Sequence, residues 1–377
     1  MSAALRALED TLNVVLAAGT MDVNGDFISQ KSSLYNYLMM DKHTSKQDGN
    51  GKQYKVVVDD ENTYAYHSNS VFPTNEIDIL NNYTVPYYNM GSNVVFSGPE
   101  ISLLTGGYSI EDMVGRYGSE PRAPRTNFPT LVNYVEEKLM NVKRSFYKRY
   151  SEALYHKQVE KDGAHWVDGL DVIFAAGQPY GGKAENAFGQ QQWESLLTST
   201  NPQRHGPLVK DFGGNSFPTF FGDWAAACAD ISKNRADISG MARDEKLKIY
   251  AFCGIGTQNR IEKQFYDQKT GARSSASDTN FGINEPITHD RWGLEIHADH
   301  FCPEDRIYIF AEEAIETICQ TGSRGRFAFR TGRLAFAQDK IMLPYSVECN
   351  IGCSSRWQCV VFTNVDYTYT GDIIGFN

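Results

Sequence analysis

The chain has 377 residues, 41% hydrophobic and 22% charged, which is the composition of a folded globular protein rather than a disordered or fibrous one. Its net charge of −10 argues against general nucleic-acid binding, which needs a basic face. No apolar run approaches the ~18 residues of a membrane span.

The first segment, residues 1–51, reads as an arm. Leu5, Leu8, Leu12 and Val15 fall at helical spacing and predict an amphipathic helix from Ala3 to Leu16. The apolar stretch Leu12 to Ala18 follows Glu9 and Asp10 without a basic cluster, so it does not read as a secretory leader. The seven cysteines are odd in number and widely spaced, and are expected as reduced thiols. Lys42 to Gly51 is polar and Gly-containing, the composition of a linker or exposed turn.

Residues 52–100 read as extended. Tyr54 to Val58 is a β-branched strand, Tyr64 to Tyr66 a candidate continuation, and Val85 to Phe96 the return. The polar excursion between them cannot form its own core and must lie against something else. From 126 to 158, Leu131, Val135, Leu139, Val142, Phe146, Tyr150 and Ala153 step along one face of a long helix. Asn127 is its cap and Pro129 sits in its first turn.

Beyond Trp166 the pattern shortens. Strands are predicted at Leu170 to Ala176, Leu247 to Phe252, Ile307 to Phe310 and, best of all, Cys359 to Phe362. Helices are predicted from Asp223, from Gln258 to Tyr266 and from Ala311 to Cys319, and Ile341 to Thr370 reads as mostly β.

Three clusters carry chemistry-bearing residue types. Gly177 to Ala184 has the spacing of a phosphate-binding loop, but Ala184 replaces the Mg²⁺-binding hydroxyl and Pro179 removes a backbone donor. A Gly-rich turn is the favoured reading. His289, His297 and His300, with Asp290, Glu295 and Asp299, have the donor types for Zn²⁺ or Fe²⁺ without a helical H-x-x-x-H pair. Cys349, Cys353 and Cys359 lack a second pair and a nearby His, so semi-buried strand thiols are expected. No catalytic, cofactor-binding or metal residue is assigned.

Charge is segregated along the chain. Residues 56–120 carry nine acids and one base, Arg116, whereas residues 121–160 carry eight bases and four acids. An acidic excursion and a basic helix are complementary surfaces. The candidate acids are Asp59, Asp60, Glu61, Glu76 and Asp78, and the candidate bases Lys143, Arg144, Lys148 and Arg149.

The order of elements, together with Thr84 to Tyr88, Val94 to Glu100, Gly169-Leu170, Tyr180 to Gly182, Trp193 and Cys353 to Arg356, resembles the major capsid proteins of tailed double-stranded DNA phages. The resemblance implies an α+β fold of the Hong Kong 97 type. In its terms residues 1–51 are an N-terminal arm and 52–100 an extended loop. Residues 101–160 form a peripheral domain with a spine helix, 161–345 an axial domain, and 346–377 the returning strands. The implied function is a non-enzymatic shell of pentamers and hexamers around packaged double-stranded DNA, without cofactor or membrane, in a virion capsid assembled in the host cytoplasm. A separate scaffolding protein, a portal protein and, in some cases, a decoration protein are the implied partners. An encapsulin-like compartment is the alternative within the fold; a metal- or nucleotide-dependent enzyme is the remoter one. Some members cross-link through a loop lysine, but no lysine lies between Lys55 and Lys138 here.

Overall fold

The computed structural model describes residues 32–38, 40, 43–47, 49–57, 80–97, 128–156, 166–191, 193–238, 248–271, 279–280, 287–289, 293–320, 330–331, 335–337 and 340–368. The expected helix from Ala3 to Leu16, the continuation Tyr64 to Tyr66 and the cap Asn127 lie outside them.

In chain order the early elements are α1 (Ser33–Leu38), β1 (Thr44–Gln47), β2 (Gly51–Val57), β3 (Leu80–Pro86), β4 (Tyr88–Ser97) and the long helix α2 (Phe128–Tyr155). Then come α3 (Leu170–Ile173), β5 (Leu208–Asp211), α4 (Ala225–Ile238), β6 (Ile249–Cys253), α5 (Ile255–Gly271), β7 (Thr279–Asn280), β8 (Ile287–His289) and β9 (Leu294–Ala298). The chain closes with β10 (Ile307–Ala311), β11 (Ile315–Gln320), β12 (Arg330–Thr331), β13 (Ala335–Ala337), β14 (Lys340–Cys353) and β15 (Cys359–Thr363). Among the described residues no helix is long and apolar enough to cross a membrane.

The chain divides into two compact units. The larger comprises Ser32–Tyr88, Ser151–Gly322 and Cys349–Asn377. Its main sheet runs β5-β15-β10-β6-β9-β8-β7, with β6 parallel to β9 and β5 parallel to β15. β6 and β10 lie in the middle, and every residue of both is buried, so both read as unbroken apolar runs rather than alternating ones. One face stacks Tyr250 and Phe252 beside Tyr308 and Phe310. Tyr37 of α1 closes over this face, 4.6 Å from the Tyr250 ring, and Phe174 lies edge-on to Tyr308 at 5.2 Å. Asp299 holds α1 there by accepting the Leu34 N–H at 3.0 Å. Also in this unit, β2 and β3 form a seven-pair antiparallel hairpin from Gly51↔Pro86 to Val57↔Leu80.

The smaller unit comprises Met1–Lys31, Asn89–Tyr150 and Ser323–Glu348. It holds most of β4 and α2, and β12 and β13 pair antiparallel with the first half of β14.

Four local expectations are corrected. The return strand is not Val85 to Phe96: Leu80–Pro86 pairs with β2, and Tyr88–Ser97 pairs with β14 instead. Leu170 to Ala176 is not a strand. Leu170, Ile173 and Phe174 are buried at i, i+3 and i+4, and Val172 and Ile173 donate back to the Gly169 carbonyl in one helical turn. A short apolar run does not declare its period. Ala311 to Cys319 is not a helix. A reverse turn, with Ala314 N–H donating to the Ala311 carbonyl, delivers Ile315–Gln320 as β11 against β14. Thr44 to Gln47, within the expected linker, is a strand parallel to β11. It is an edge strand held by backbone bonds, which place little demand on side-chain polarity. By contrast, the expected strands at Tyr54, Ile307 and Cys359 and the long helix at 126–158 are present.

Candidate assembly surface

Helix α2 separates its faces as the sequence periodicity requires. Phe146 and Tyr150 are buried, with parallel rings 6.2 Å apart, and Ala153, Leu154 and Tyr155 are buried after them. Arg144, Lys148 and Arg149 are exposed. Three of the four candidate bases thus lie on the solvent side of one helix. Lys143 lies on the same helix, its side chain outside the described residues. Lys138, one turn earlier, donates to the Val95 carbonyl of β4 at 3.1 Å. Pro129 is tolerated because first-turn N–H groups have no intrahelical acceptor.

The five candidate acids, Asp59, Asp60, Glu61, Glu76 and Asp78, all fall between β2 and β3 and lie outside the described residues. The base of the hairpin that carries them is defined. Tyr54 and Tyr83 face each other across it, stacked at 5.3 Å, and both are buried. The Tyr54 hydroxyl donates to Glu316 of β11 at 2.8 Å, and the Lys52 ammonium pairs with the same carboxylate. The Tyr83 hydroxyl donates to the Cys353 carbonyl. Burial, then the Glu316 charge, pushes the Tyr54 phenol far up, so it stays a neutral donor. A hairpin with so little core of its own is rooted by polar bonds to β11 and β14.

The hairpin root meets a buried polar knot. Arg356 is 1% exposed, and its guanidinium donates to the carbonyls of Ile173 (2.8 Å), Ala175 (2.6 Å), Gln178 (3.2 Å) and His205 (2.9 Å). Burial lowers the His205 pKa, so the ring is neutral and Nε2–H donates to the Tyr180 carbonyl at 2.9 Å. Nearby, Asn350 donates to the carbonyl of Pro86 at 2.8 Å and to the Asp168 carboxylate at 2.9 Å, while its own oxygen accepts the Asp168 N–H. Sequence reasoning singled out neither Asn350 nor the bonding role of Arg356. The available signal was a charged residue in a short turn between two apolar strands.

The chemistry-bearing clusters are accounted for locally. Gly177 to Ala184 follows a helical turn, not a strand, and leads only into a four-residue 3-10 turn, Glu185–Phe188, not an α-helix. Tyr180 and Lys183 exchange backbone bonds at 2.9 and 3.1 Å around Gly181 (φ 57°) and Gly182 (φ 77°), a two-residue hairpin of the I′ kind. A Cβ on Gly181 would also lie 2.6 Å from the Tyr83 ring. The Tyr180 and Lys183 amides therefore donate to each other's carbonyls, and the Gly177 amide to the Glu185 carboxylate, instead of to a phosphate. His297 stacks on Phe252 at 5.3 Å with Nε2 3.6 Å from Glu295. His300 is exposed and edge-on to Phe301, and Asp299 is committed to the Leu34 and Phe301 N–H groups. The His289 side chain and Asp290 lie outside the described residues. Among the described residues no group of three or more His, Cys, Asp or Glu side chains could hold a metal ion. All seven cysteines are buried.

No family model matches the chain, and no curated protein does. Solved structures do. A chain of the "Cyanophage A-1(L) capsid asymmetric unit" superposes with TM-score 0.59 at 12% identity, covering 89% of this chain and 93% of that one. Two weaker similarities, at TM-scores of 0.48 and 0.45, carry no argument. One is to a chain of the "Capsid of empty GTA particle", at 10% identity over 87% of this chain and 90% of that one. The other is to a chain of the SrpI encapsulin complex from Synechococcus elongatus PCC 7942, at 12% identity over 87% of each. The fold is thus the α+β Hong Kong 97-type fold expected from the sequence.

Proposed function

We propose that the chain is the repeating subunit of an icosahedral virion capsid, a structural protein that self-assembles into pentamers and hexamers around packaged double-stranded DNA. The observation that supports this reading most is the cyanophage capsid chain, whose fold extends over nearly the whole of both molecules. Fold alone does not carry function. Here it is joined by a segregated charge pattern, and by clusters whose residues are occupied in structural contacts rather than arranged for catalysis. On this reading residues 1–51 are the arm, 52–100 the extended loop, 101–160 the peripheral domain, 161–345 the axial domain and 346–377 the returning strands. A separate scaffolding protein and a portal protein complete the assembly in the host cytoplasm, with a decoration protein where one is used. The acidic excursion of one subunit lies on the basic face of α2 in its neighbour. The net charge of −10 suits a shell that encloses DNA without gripping it.

The test is negative-stain microscopy of the chain expressed alone and with its genomic neighbours, followed by nuclease-protection analysis of purified particles. Regular shells that protect double-stranded DNA are expected. A stable, monodisperse monomer under both conditions would overturn the capsid reading. Shells filled with a protein cargo and free of DNA would replace it with a compartment.

A further inference from the structure

Seven cysteines in a chain without a disulfide look unremarkable until their partners are read off the sheets. β14 carries two of them, Cys349 and Cys353, on one face with Ile351 between. Each has a second thiol beside it. Cys349 is directly opposite Cys319 in the β11–β14 ladder. The site type follows from one bond: Ser354 N–H donates to the Ala314 carbonyl at 2.8 Å, which makes 314/354 a hydrogen-bonded pair. Counting along the unbroken register, Ile315/Cys353, Thr317/Ile351 and Cys319/Cys349 are non-hydrogen-bonded pairs. There facing Cα atoms stand about 4.5 Å apart and the side chains lean together, at the near edge of the ~4.4–6.8 Å range that disulfides span. Across the following turn, Cys353 Sγ lies 3.7 Å from Cys359 Sγ. Closing that gap to the ~2.05 Å of a disulfide asks each sulfur to move by under about 1 Å. Cys228, Cys253 and Cys302 belong to neither pair.

We propose that Cys319–Cys349 and Cys353–Cys359 are two latent disulfide sites, closed by a peroxide oxidant, that fasten β14 to β11 and to β15. In each pair one thiolate attacks hydrogen peroxide, giving a sulfenic acid and hydroxide. The second sulfur then attacks the sulfenic sulfur, the S–S bond forms and a second hydroxide leaves. With the two thiol protons the balance is two thiols and one peroxide to one disulfide and two waters. The site has a structural consequence. The turn between Cys353 and Cys359 carries Arg356, whose guanidinium holds the Ile173, Ala175, Gln178 and His205 carbonyls. The Cys353 carbonyl receives the Tyr83 hydroxyl. The bond would therefore brace the turn that roots the β2–β3 hairpin. Burial, and then the Cys353 contact, pushes the Cys359 thiol well up, so reaction is slow at neutral pH and quickens as pH rises. None of this depends on the capsid reading.

The full chain, fully reduced, is treated with hydrogen peroxide at pH 7 and pH 9, quenched with N-ethylmaleimide in denaturant and digested with trypsin without reductant. Cleavage after Arg306, Arg324, Lys340 and Arg356 puts Cys319, the Cys349/Cys353 pair and Cys359 in three separate peptides. Expected is one species joining all three peptides, returned to its parts by dithiothreitol, with four of the seven cysteines protected from alkylation. Cys359→Ser should lose only the C-terminal peptide from that species, and Cys319→Ser only the 307–324 peptide. Seven alkylated cysteines, oxidation to sulfinic or sulfonic acid without linkage, or links through Cys228, Cys253 or Cys302 or between chains would overturn the proposal. Recovery of one link alone would overturn the site that stays open.

Discussion

The guanidinium carbon of Arg356 stands 5.4 Å from the centre of the Tyr180 ring, and the Tyr180 hydroxyl accepts the Cys353 N–H at 2.9 Å. The two residues lock the turn after β14 onto the Gly181-Gly182 hairpin. A buried guanidinium is costly unless its donors are all used. Here four carbonyls and an aromatic face stand where a carboxylate would ordinarily be.

Arg356→Leu should therefore destabilise the larger unit by roughly 3 kcal/mol or more, since each orphaned buried carbonyl costs about 1–3 kcal/mol. Arg356→Lys should not restore the loss, because one ammonium cannot reach acceptors arranged around a planar fork. Urea unfolding followed by tyrosine and tryptophan fluorescence reads this directly. A parental midpoint for either variant would show that the knot adds no stability.

Phe146 tests the buried face of α2. It is 2% exposed and stacks on Tyr150. Phe146→Ala should cost about 3–5 kcal/mol, a large share of the ~5–15 kcal/mol that holds a domain folded. The variant should accumulate as insoluble protein, or unfold at much lower denaturant. The exposed neighbour Ser145, changed to Ala, should remain within ~0.5 kcal/mol of the parent.

What could be read from the sequence depended on how local the cause was. Helix α2 was legible because seven apolar residues repeat at helical spacing over a length no strand reaches. β15 was legible because Cys359 to Phe362 is short, apolar and β-branched. The segment 170–176 resists reading because an apolar run of a few residues fits either period, and 311–319 because its alanines and glutamates favour a helix locally. In the first, local bonds from Val172 and Ile173 to the Gly169 carbonyl close a helical turn; in the second, pairing with β14 draws the segment out as a strand. The basic face of α2 needed only the helix itself. Arg356 could not be foreseen as an anchor, since its four acceptors lie 151 to 183 residues away. The same holds for one of the thiol pairs: Cys319 and Cys349 meet only once the register of β11 on β14 is known.

Just past the end of α2, His156 gives a pH dependence with a definite sign. Its Nδ1–H donates to Asp171 at 2.9 Å, and Arg306 (2.6 Å) and the Tyr308 hydroxyl (2.8 Å) donate to the other oxygen of that carboxylate. The bond to Asp171 raises the His156 pKa, against opposing burial and the Arg306 charge, with Asp305 assisting. Burial pushes Asp171 up, but the His156 and Tyr308 bonds and the Arg306 charge outweigh it and hold it below its ordinary value. Stabilisation from His156 is thus complete below its unfolded pKa of about 6.5 and fades as pH rises through the folded value. That from Asp171 is complete above about 3.9 and fades as pH falls through its folded value. Thermal midpoints should be best supported between about pH 4 and 6.5. His156→Gln should flatten the decline above pH 6.5 and weaken the acid decline without abolishing it, since Arg306 and the Tyr308 hydroxyl still hold Asp171. An unchanged alkaline limb in the variant would remove His156 as its source.

The proposed contact between neighbours rests on charges that are weak one at a time. An exposed ion pair contributes only ~0.2–1 kcal/mol, too little to matter in one subunit. Repetition by symmetry multiplies it, so reversing the basic face of α2 should impair assembly while leaving the fold intact. Lys148→Glu with Arg149→Glu is the direct variant, since both side chains are exposed. Its circular dichroism and unfolding midpoint should match the parent, while sedimentation shows loss of large particles. Reversal of Glu76 and Asp78 to lysine should restore part of the assembly, which a merely damaged helix would not allow. Parent shells should loosen at 1 M salt, where the screening length falls to about 3 Å. Because no lysine lies between Lys55 and Lys138, the tip of the loop has no amine for an isopeptide bond, and mature particles should run as a single monomer band on denaturing gels. A ladder of covalent multimers would refute the non-covalent contact. Assembly indifferent to salt and to the reversals would place the contact elsewhere on the subunit.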